Sequence, residues 1–177
     1  MATTSEVPVS AQTAAHTTIR SSLGDLTVVA RGGAVTGLYF PHHWHLPDRA
    51  GFGEYQDAGF DDVRRQLDEY LAGERREFDL PAETAGSPFQ ERVWQLLRQI
   101  PYGATVSYGE LARALGDGAT AQEVGAAVGR NPVSVIIPCH RVVGAGGALT
   151  GYAGGLRRKR LLLDLEQDAA GRSARLF

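Results

Sequence analysis

The spacing of apolar residues changes along this chain, and the change limits the folds that it can adopt. Short apolar runs at residues 17–20, 26–30 and 35–40 are separated by glycine-bearing turns at 22–25 and 31–33, which is typical of strands joined by hairpins. From residue 87 onward, apolar residues recur at helical spacing. The sequence therefore predicts a small sheet followed by a mostly helical part.

A leader, two domains and a tail account for the 177 residues. Residues 1–15 are rich in alanine, threonine and serine and lack the basic start and apolar core of a signal peptide, so they predict a disordered leader. The apolar spacing within residues 16–83 predicts an N-terminal α/β domain, with one helix over 60–71 and a short strand over 76–81. The second domain spans 87–169, and residues 170–177 form a C-terminal tail.

Helix-capping residues divide the second domain. Ser87, with Pro88 at the first helical position and Gln90 at the third, predicts a helix to about residue 100. Ser107 caps a second helix over 108–115, and a glycine turn leads to a third over 120–129. Two short helices around a tight turn predict a helix-turn-helix, although many such hairpins bind no DNA. A buried extended run at 133–137 and a last helix at 156–166 complete the domain.

Composition excludes some classes of protein and favours one compartment. No apolar run approaches the ~20 residues that span a bilayer, and a single cysteine permits no intramolecular disulfide. Both features favour a reducing, cytoplasmic setting without membrane contact. The net charge of −2 gives no sign of nucleic acid, but residues 1–86 carry −6 and residues 87–177 carry +4. The basic half could face phosphates.

The only cysteine, Cys139, lies between Pro138 and His140. A buried cysteine without an activating neighbour behaves as an inert small hydrophobe. A nucleophilic cysteine needs a base or a positive field that favours the thiolate. The adjacent imidazole, and the glycine-rich stretch 144–155 that follows, favour a nucleophile.

The segment from Ser87 to Glu166 resembles the catalytic domain of the O6-alkylguanine-DNA alkyltransferases, or methylated-DNA–protein-cysteine methyltransferases. The resemblance rests on Pro138-Cys139-His140-Arg141 and on matching strings, in the right order and spacing, at 87–94, 100–103, 106–108, 124–127, 131–132, 137–144 and 149–155. It implies an α/β (α+β) fold, with a short antiparallel sheet in the first domain and a winged-helix-like second domain. It also implies that the protein extrudes a damaged nucleotide from duplex DNA.

The same resemblance implies DNA repair by a single irreversible transfer. An alkyl group moves from guanine O6, with thymine O4 as a further candidate, to Cys139, and the protein is consumed. His140 serves as the base, through an ordered water, and Glu166 orients and charges that histidine. Asn131 joins this relay and holds the reactive turn in shape. On spacing alone, Glu166 would be a solvated charge late in a helix and Asn131 an ordinary turn residue.

The resemblance also assigns residues to the substrate and to DNA. Tyr108 donates to guanine N3, and backbone N–H groups of the loop reach guanine O6. The expected substrate-binding residues are Tyr108, Val142, Tyr152, Ala153 and Gly154. The expected DNA-binding residues are Thr120, Ala121, Gln122, Arg130 and Arg141. The chain departs from the family at Gln122, where an arginine usually fills the space left by the extruded nucleotide, and Glu123 adds a negative charge near phosphates.

The sequence predicts no metal and no cofactor, although His42, His43 and His45 around Trp44 leave a three-histidine site conceivable. Surface loop histidines are the favoured interpretation. We expect a monomer whose partner is double-stranded DNA carrying O6-alkylguanine. The main alternative is a non-enzymatic protein that binds alkylated bases and flags them for other repair, but in such relatives the cysteine is replaced. A transcriptional regulator and a cysteine hydrolase rank lower.

Overall fold

The N-terminal part is a four-stranded sheet with one helix against it. In this computed structural model, which describes residues 13–174, the strands are β1 (Ala14–Ser21), β2 (Gly24–Arg31), β3 (Ala34–Tyr39) and β4 (Glu54–Tyr55). Their order is β3-β2-β1-β4, antiparallel except for the short parallel pair of β1 with β4. Helix α1 (Asp61–Leu71) follows and buries Val63, Leu67 and Tyr70.

The C-terminal part consists of helices and one very small sheet. Its elements are α2 (Pro88–Leu97), β5 (Val106–Ser107), α3 (Tyr108–Leu115), α4 (Ala121–Gly129), β6 (Val142–Val143) and α5 (Leu156–Ala174). Ser87, Ser107 and Thr120 each cap a helix through a reciprocal capping box, the arrangement that satisfies two free N–H groups at a helix start. The α/β fold class and the helix-turn-helix pair α3–α4 agree with the sequence prediction.

One hydrophobic core joins the two parts. Leu26 and Leu38 of the sheet, Tyr70 of α1 and Val93 of α2 belong to the same cluster of buried residues as Cys139. A backbone hydrogen bond from Leu38 N to the Pro132 carbonyl, at 2.9 Å, continues the edge of the sheet into the segment that leads to Cys139. The N-terminal sheet therefore supports the reactive turn directly.

Several predicted boundaries and elements are wrong. Strand β1 begins at Ala14, inside the predicted leader, because it pairs with β2 along its full length. Helix α5 continues to Ala174, so residues 170–174 do not form a separate tail. The rest of the leader and of the tail, residues 1–12 and 175–177, lie outside the described residues. No strand forms over 76–81; a single bridge between Val35 and Ala82 replaces it.

The segment 133–137 is buried as predicted but is not extended. Ile136 N donates to the Ser134 carbonyl and Ile137 N to the Val133 carbonyl, so the chain turns instead. Val135 lies at φ +70°, a conformation in which a β-branched residue is strained. The small sheet is a parallel pair of β5 with β6. Within residues 13–174, no helix combines the length and apolar character needed to cross a membrane.

Candidate active site

Cys139 lies at the start of a single 3-10 turn, Cys139–Arg141, directly after the strained segment. Asn131 holds that segment from within: its Nδ2 donates to the Ile137 carbonyl at 2.9 Å, and its Oδ1 accepts from Val133 N at 3.1 Å. All of these groups are buried, so each hydrogen bond replaces contacts with water that the interior cannot supply. Asn131 therefore fixes the turn that presents the thiol.

His140, the residue after Cys139, forms a buried pair with Glu166. His140 Nε2 lies 2.8 Å from Glu166 Oε1, and both side chains are inaccessible to solvent. Because a carboxylate only accepts hydrogen bonds, Nε2 must carry the proton and Nδ1 must be the basic nitrogen. His140 Nδ1 is buried and has no hydrogen-bond partner among the described residues.

Arg141 and Tyr70 also stabilise the charge of Glu166. Arg141 donates to both carboxylate oxygens, with Nη2 2.8 Å from Oε1 and Nε 2.9 Å from Oε2. The Tyr70 hydroxyl donates to Oε1 at 2.6 Å. Burial alone would raise the pKa of Glu166, but hydrogen bonds from His140, Arg141 and Tyr70 outweigh it and lower this pKa to about 2. Glu166 is therefore ionised at neutral pH.

The thiol and the imidazole are both neutral at rest. Burial raises the pKa of the Cys139 thiol, against the opposing effects of a hydrogen bond from Asn131 and the charge of Lys159. Burial likewise lowers the pKa of His140, against the opposing effect of Glu166. A neutral thiol beside a neutral imidazole is the starting state for proton transfer at the moment of reaction.

Lys159 of α5 is a fully buried residue whose positive charge lowers the pKa of the Cys139 thiol. Its Nζ donates to the carbonyl oxygens of Thr150 at 3.0 Å and Gly151 at 3.2 Å. Burial lowers the pKa of Lys159 to about 8, and a charge on Cys139 would raise it. The two hydrogen bonds tie the loop after β6 to α5, and the ammonium favours a thiolate at Cys139.

Cys139 opens onto a cavity of about 220 Å³ between the two parts of the chain. Tyr108, at the start of α3, lines one side, and its hydroxyl donates to the Thr150 carbonyl at 3.2 Å. Further lining residues come from α4, from the loop after β6 and from a loop of the N-terminal part. They are Trp44, His45, Gly125, Ala126, Val128, Gly129, Asn131, Gly151, Tyr152 and Ala153.

The start of α4 presents an exposed surface beside this cavity. Thr120, Ala121 and Gln122 are exposed there, and Arg130 is exposed at the opposite end of the helix, as its C-cap. The Glu123 carboxylate folds back onto Thr120, accepting from its backbone N at 2.9 Å and its hydroxyl at 3.0 Å. Glu123 thus has a capping role, in addition to the charge that it adds near this surface.

Comparison with known proteins assigns both parts of the chain to one family. Residues 88–168 match the family model for the DNA-binding domain of 6-O-methylguanine DNA methyltransferase. Residues 15–84 match the model for its ribonuclease-like domain. The methylated-DNA–protein-cysteine methyltransferase of Mycobacterium tuberculosis is 44% identical over 162 residues, which cover 92% of this chain and 98% of the relative.

The chain belongs to the 6-O-methylguanine DNA methyltransferase family. The crystal structure of Mycobacterium tuberculosis OGT in complex with DNA superposes with a TM-score of 0.81 at 44% identity, covering 88% of this chain and 94% of that one. The Haemophilus influenzae methylated-DNA–protein-cysteine methyltransferase is 38% identical, with 86% of each chain covered. The protein therefore acts in DNA repair as a methylated-DNA–protein-cysteine methyltransferase, and DNA is its partner; the comparisons do not favour a non-enzymatic damage-binding protein.

Five of the residues predicted from the resemblance to the methyltransferases meet at the cavity. Cys139, Asn131, Tyr108, Tyr152 and Ala153 all line it. His140 and Glu166 do not line it but form a buried hydrogen-bonded pair.

Three predicted contact residues lie elsewhere. Val142 is fully buried in β6 and does not line the cavity. Gly154 also lies outside the lining, where a Cβ atom would come within 2.4 Å of the Phe40 ring. Arg141 is buried against Glu166 and donates to the Ile100 carbonyl at 2.7 Å, so it cannot reach phosphates. Its positive charge instead compensates the negative charge of Glu166.

Four contributors to the site were not predicted: Tyr70, Lys159, Trp44 and His45. The Tyr70 hydroxyl reaches Glu166 from α1, across 96 residues of sequence, and its helical spacing indicated only a core position. His43, expected on the surface, is buried and stacks on Phe40 with ring centroids 5.9 Å apart. Within residues 13–174, no group of three or more histidine, cysteine, aspartate or glutamate residues is arranged so that it could hold a metal ion.

Proposed function

We propose that Cys139 is the residue that accepts the alkyl group from guanine O6 in DNA. The supporting observation is the position of its thiol. Cys139 lines the cavity on one side, while the neighbouring His140 presents a basic, unpartnered Nδ1 and is backed by the ionised Glu166. Nucleophile, base and orienting carboxylate are the groups that an activated thiol requires.

In the proposed reaction, the sulfur of Cys139 attacks the alkyl carbon in line with the carbon–oxygen bond. A sulfur–carbon bond forms as the carbon–oxygen bond breaks, and the electron pair of the broken bond stays on the purine. The thiol proton passes to His140 Nδ1, and the purine regains a proton to leave as guanine. Because the carbon–sulfur bond of the thioether is stable and no step regenerates the thiol, the protein reacts once and is consumed.

Tyr108 assists the departure of the purine in this proposal. Its hydroxyl lies at the cavity and donates to the Thr150 carbonyl, a hydrogen bond that it can exchange for one to a purine ring nitrogen. Such a donor stabilises the negative charge that develops on the leaving base. Burial raises the pKa of Tyr108, which keeps the hydroxyl protonated and able to donate.

The exposed start of α4 is the surface that we propose meets the duplex. Thr120, Ala121 and Gln122 lie there, on the same helix as cavity residues Gly125 and Ala126. Arg130, exposed at the C-terminal end of this helix, is a further proposed DNA contact. Extrusion of the damaged nucleotide is needed because a base inside the stack cannot reach a recessed thiol. A cytoplasmic location fits a nucleophile that must remain reduced.

The test is single-turnover repair of a duplex oligonucleotide that carries O6-methylguanine. We expect the wild-type protein to restore one guanine per protein molecule and then stop, and Cys139→Ala to restore none while it still binds the duplex. Repeated turnover, or repair by Cys139→Ala, would overturn the proposal. Tight binding by the wild type without transfer would instead support a damage-flagging protein.

A further inference from the structure

An exposed tryptophan of the N-terminal part lies at the cavity that contains the thiol. Trp44 lines this cavity together with Cys139, Tyr108 and Tyr152, yet 67% of the residue is accessible to solvent. Within residues 13–174, no hydrogen bond or ring contact holds its indole. A large aromatic surface beside a cavity, with no partner in its own chain, is typical of a ligand contact.

The backbone around Trp44 is held firmly against the cavity wall. Trp44 N donates to the Ala153 carbonyl at 2.9 Å, which joins the N-terminal loop to the loop after β6. Just before it, the Phe40 ring packs against Tyr152 at a centroid distance of 5.7 Å. The Arg158 side chain donates to the carbonyl oxygens of Leu23 and Gly154 and lies over the Phe40 ring.

The backbone conformation of the loop around Trp44 also helps to set the orientation of the indole. His42 and His45, near Trp44 in the sequence, have φ angles of 57° and 59°, in the left-handed region that few non-glycine residues adopt. Between them His43 is buried, and its Nδ1 accepts from Phe40 N at 3.3 Å. The fixed backbone thus places an otherwise free indole at the mouth of the cavity.

We propose that the indole of Trp44 forms one wall of the nucleotide site and stacks on the extruded alkylated base. This inference rests on the proposed function, because it requires the base to enter the cavity at Cys139. Every base has a π face, so an aromatic wall binds an alkylated purine without reading its hydrogen-bonding edge, which the alkyl group has altered. The N-terminal part then contributes directly to recognition of the substrate.

The expected effect follows from the strength of stacking. Contact of a base with an aromatic side chain typically changes affinity by about tenfold when the ring is removed. Trp44→Ala and Trp44→Leu should therefore lower the second-order rate constant of transfer about tenfold, and Trp44→Phe should retain most of it. Because the indole is exposed, all three variants should unfold at nearly the wild-type temperature.

The experiment compares two substrates. One is a duplex oligonucleotide carrying O6-methylguanine, and the other is the free base O6-benzylguanine, whose benzylic carbon is activated for displacement. The free base can enter the cavity but offers no phosphate or neighbouring nucleotide. Tyr55→Ala serves as the matched control, because Tyr55 is an exposed aromatic residue of the same part of the chain that does not line the cavity.

A loss of similar size with both substrates, absent from Tyr55→Ala, is the result that supports the proposal. An unchanged rate with the free base would overturn it, even if the rate on duplex DNA fell, since Trp44 would then contact the DNA outside the cavity. Loss of both rates in Trp44→Phe as well would also count against stacking. If the wild type reacted with neither substrate, the proposed function itself would fail first.

Discussion

His140 Nε2 and Glu166 Oε1 lie 2.8 Å apart in the interior of the protein. This contact decides which nitrogen of the imidazole is basic, because an ionised carboxylate requires a proton on Nε2. Nδ1, which has no hydrogen-bond partner among the described residues, is therefore the nitrogen that we propose accepts the thiol proton. Arg141 forms a salt bridge with Glu166, so the buried carboxylate does not lack a counter-charge.

Replacement of Glu166 by glutamine should damage both stability and chemistry. Glu166→Gln leaves the Arg141 guanidinium buried without its counter-charge, and its amide can either accept from or donate to His140 Nε2, so the His140 tautomer is no longer fixed. We expect the free energy of unfolding in urea to fall by about 3 kcal/mol, and the single-turnover rate to fall about 100-fold. A rate within a factor of about two of wild type would show that the carboxylate does not act through His140.

Removal of the Tyr70 hydroxyl should weaken the same relay more mildly. Tyr70→Phe deletes the hydrogen bond to Glu166 Oε1 and should reduce the free energy of unfolding by about 2 kcal/mol, as for other hydrogen bonds to buried charges.

Tyr102 offers a matched control for Tyr70. Its ring lies 6.2 Å from that of Tyr70, and its buried hydroxyl has no hydrogen-bond partner among residues 13–174. Tyr102→Phe should leave stability unchanged or slightly increased, because it removes an unsatisfied polar group. Equal losses in the two variants would contradict the specific role of the Tyr70 hydroxyl.

His43 should make stability depend on pH. Burial, followed by the charges of His45 and Arg158, lowers its pKa from 6.5 to about 4. A histidine with a lowered folded-state pKa stabilises the fold fully above pH 6.5, and this contribution is lost as the pH falls toward 4, because the unfolded chain binds the proton more readily. The shift corresponds to about 3 kcal/mol.

The variant His43→Asn keeps an acceptor for Phe40 N without a titrating ring. Urea unfolding between about pH 7 and about pH 4.5 should show a loss of stability about 2 kcal/mol smaller in this variant than in the wild type. His140, whose pKa is also lowered, acts in the same direction in both proteins and so cancels in the comparison. Parallel pH profiles would refute the assignment to His43.

Gln122→Arg should accelerate repair of duplex DNA. Gln122 is exposed at the start of α4, where a cation would gain phosphate contacts and fill the space left by an extruded base. We expect a faster single-turnover rate on duplex DNA and a salt dependence of binding steeper by about one unit of log K per log salt. The rate with a free alkylated base should not change. An unchanged rate on the duplex would show that Gln122 does not limit extrusion.

The sequence predicted local features well and long-range ones poorly. Ser87, Ser107 and Thr120 marked helix starts because capping depends on residues within one turn. The roles of Cys139, His140 and Glu166 came from the resemblance, since no local rule pairs residues 26 positions apart in the chain. Tyr70 reaches the relay from the other half of the molecule, and its helical spacing is equally consistent with simple core packing.

Arg141 and Gly154 show a second limit of the sequence. Arg141 lies in a basic part of the chain and was expected to meet DNA, but a buried Glu166 holds it inside. Gly154 belongs to a glycine-rich loop, yet close packing against Phe40 requires it. In both cases a partner distant in sequence determines which way a residue faces, and that information is absent from the local pattern.

The most direct test of alkyl transfer to Cys139 is the mass of the peptide that contains this residue. The protein is incubated with a duplex carrying O6-methylguanine, digested and analysed by mass spectrometry, with Cys139→Ala as the control. We expect one methyl group on Cys139, in an amount equal to the guanine restored, and none on any peptide of the control. Restored guanine without methyl on Cys139, or methyl on another residue of the wild type, would contradict it.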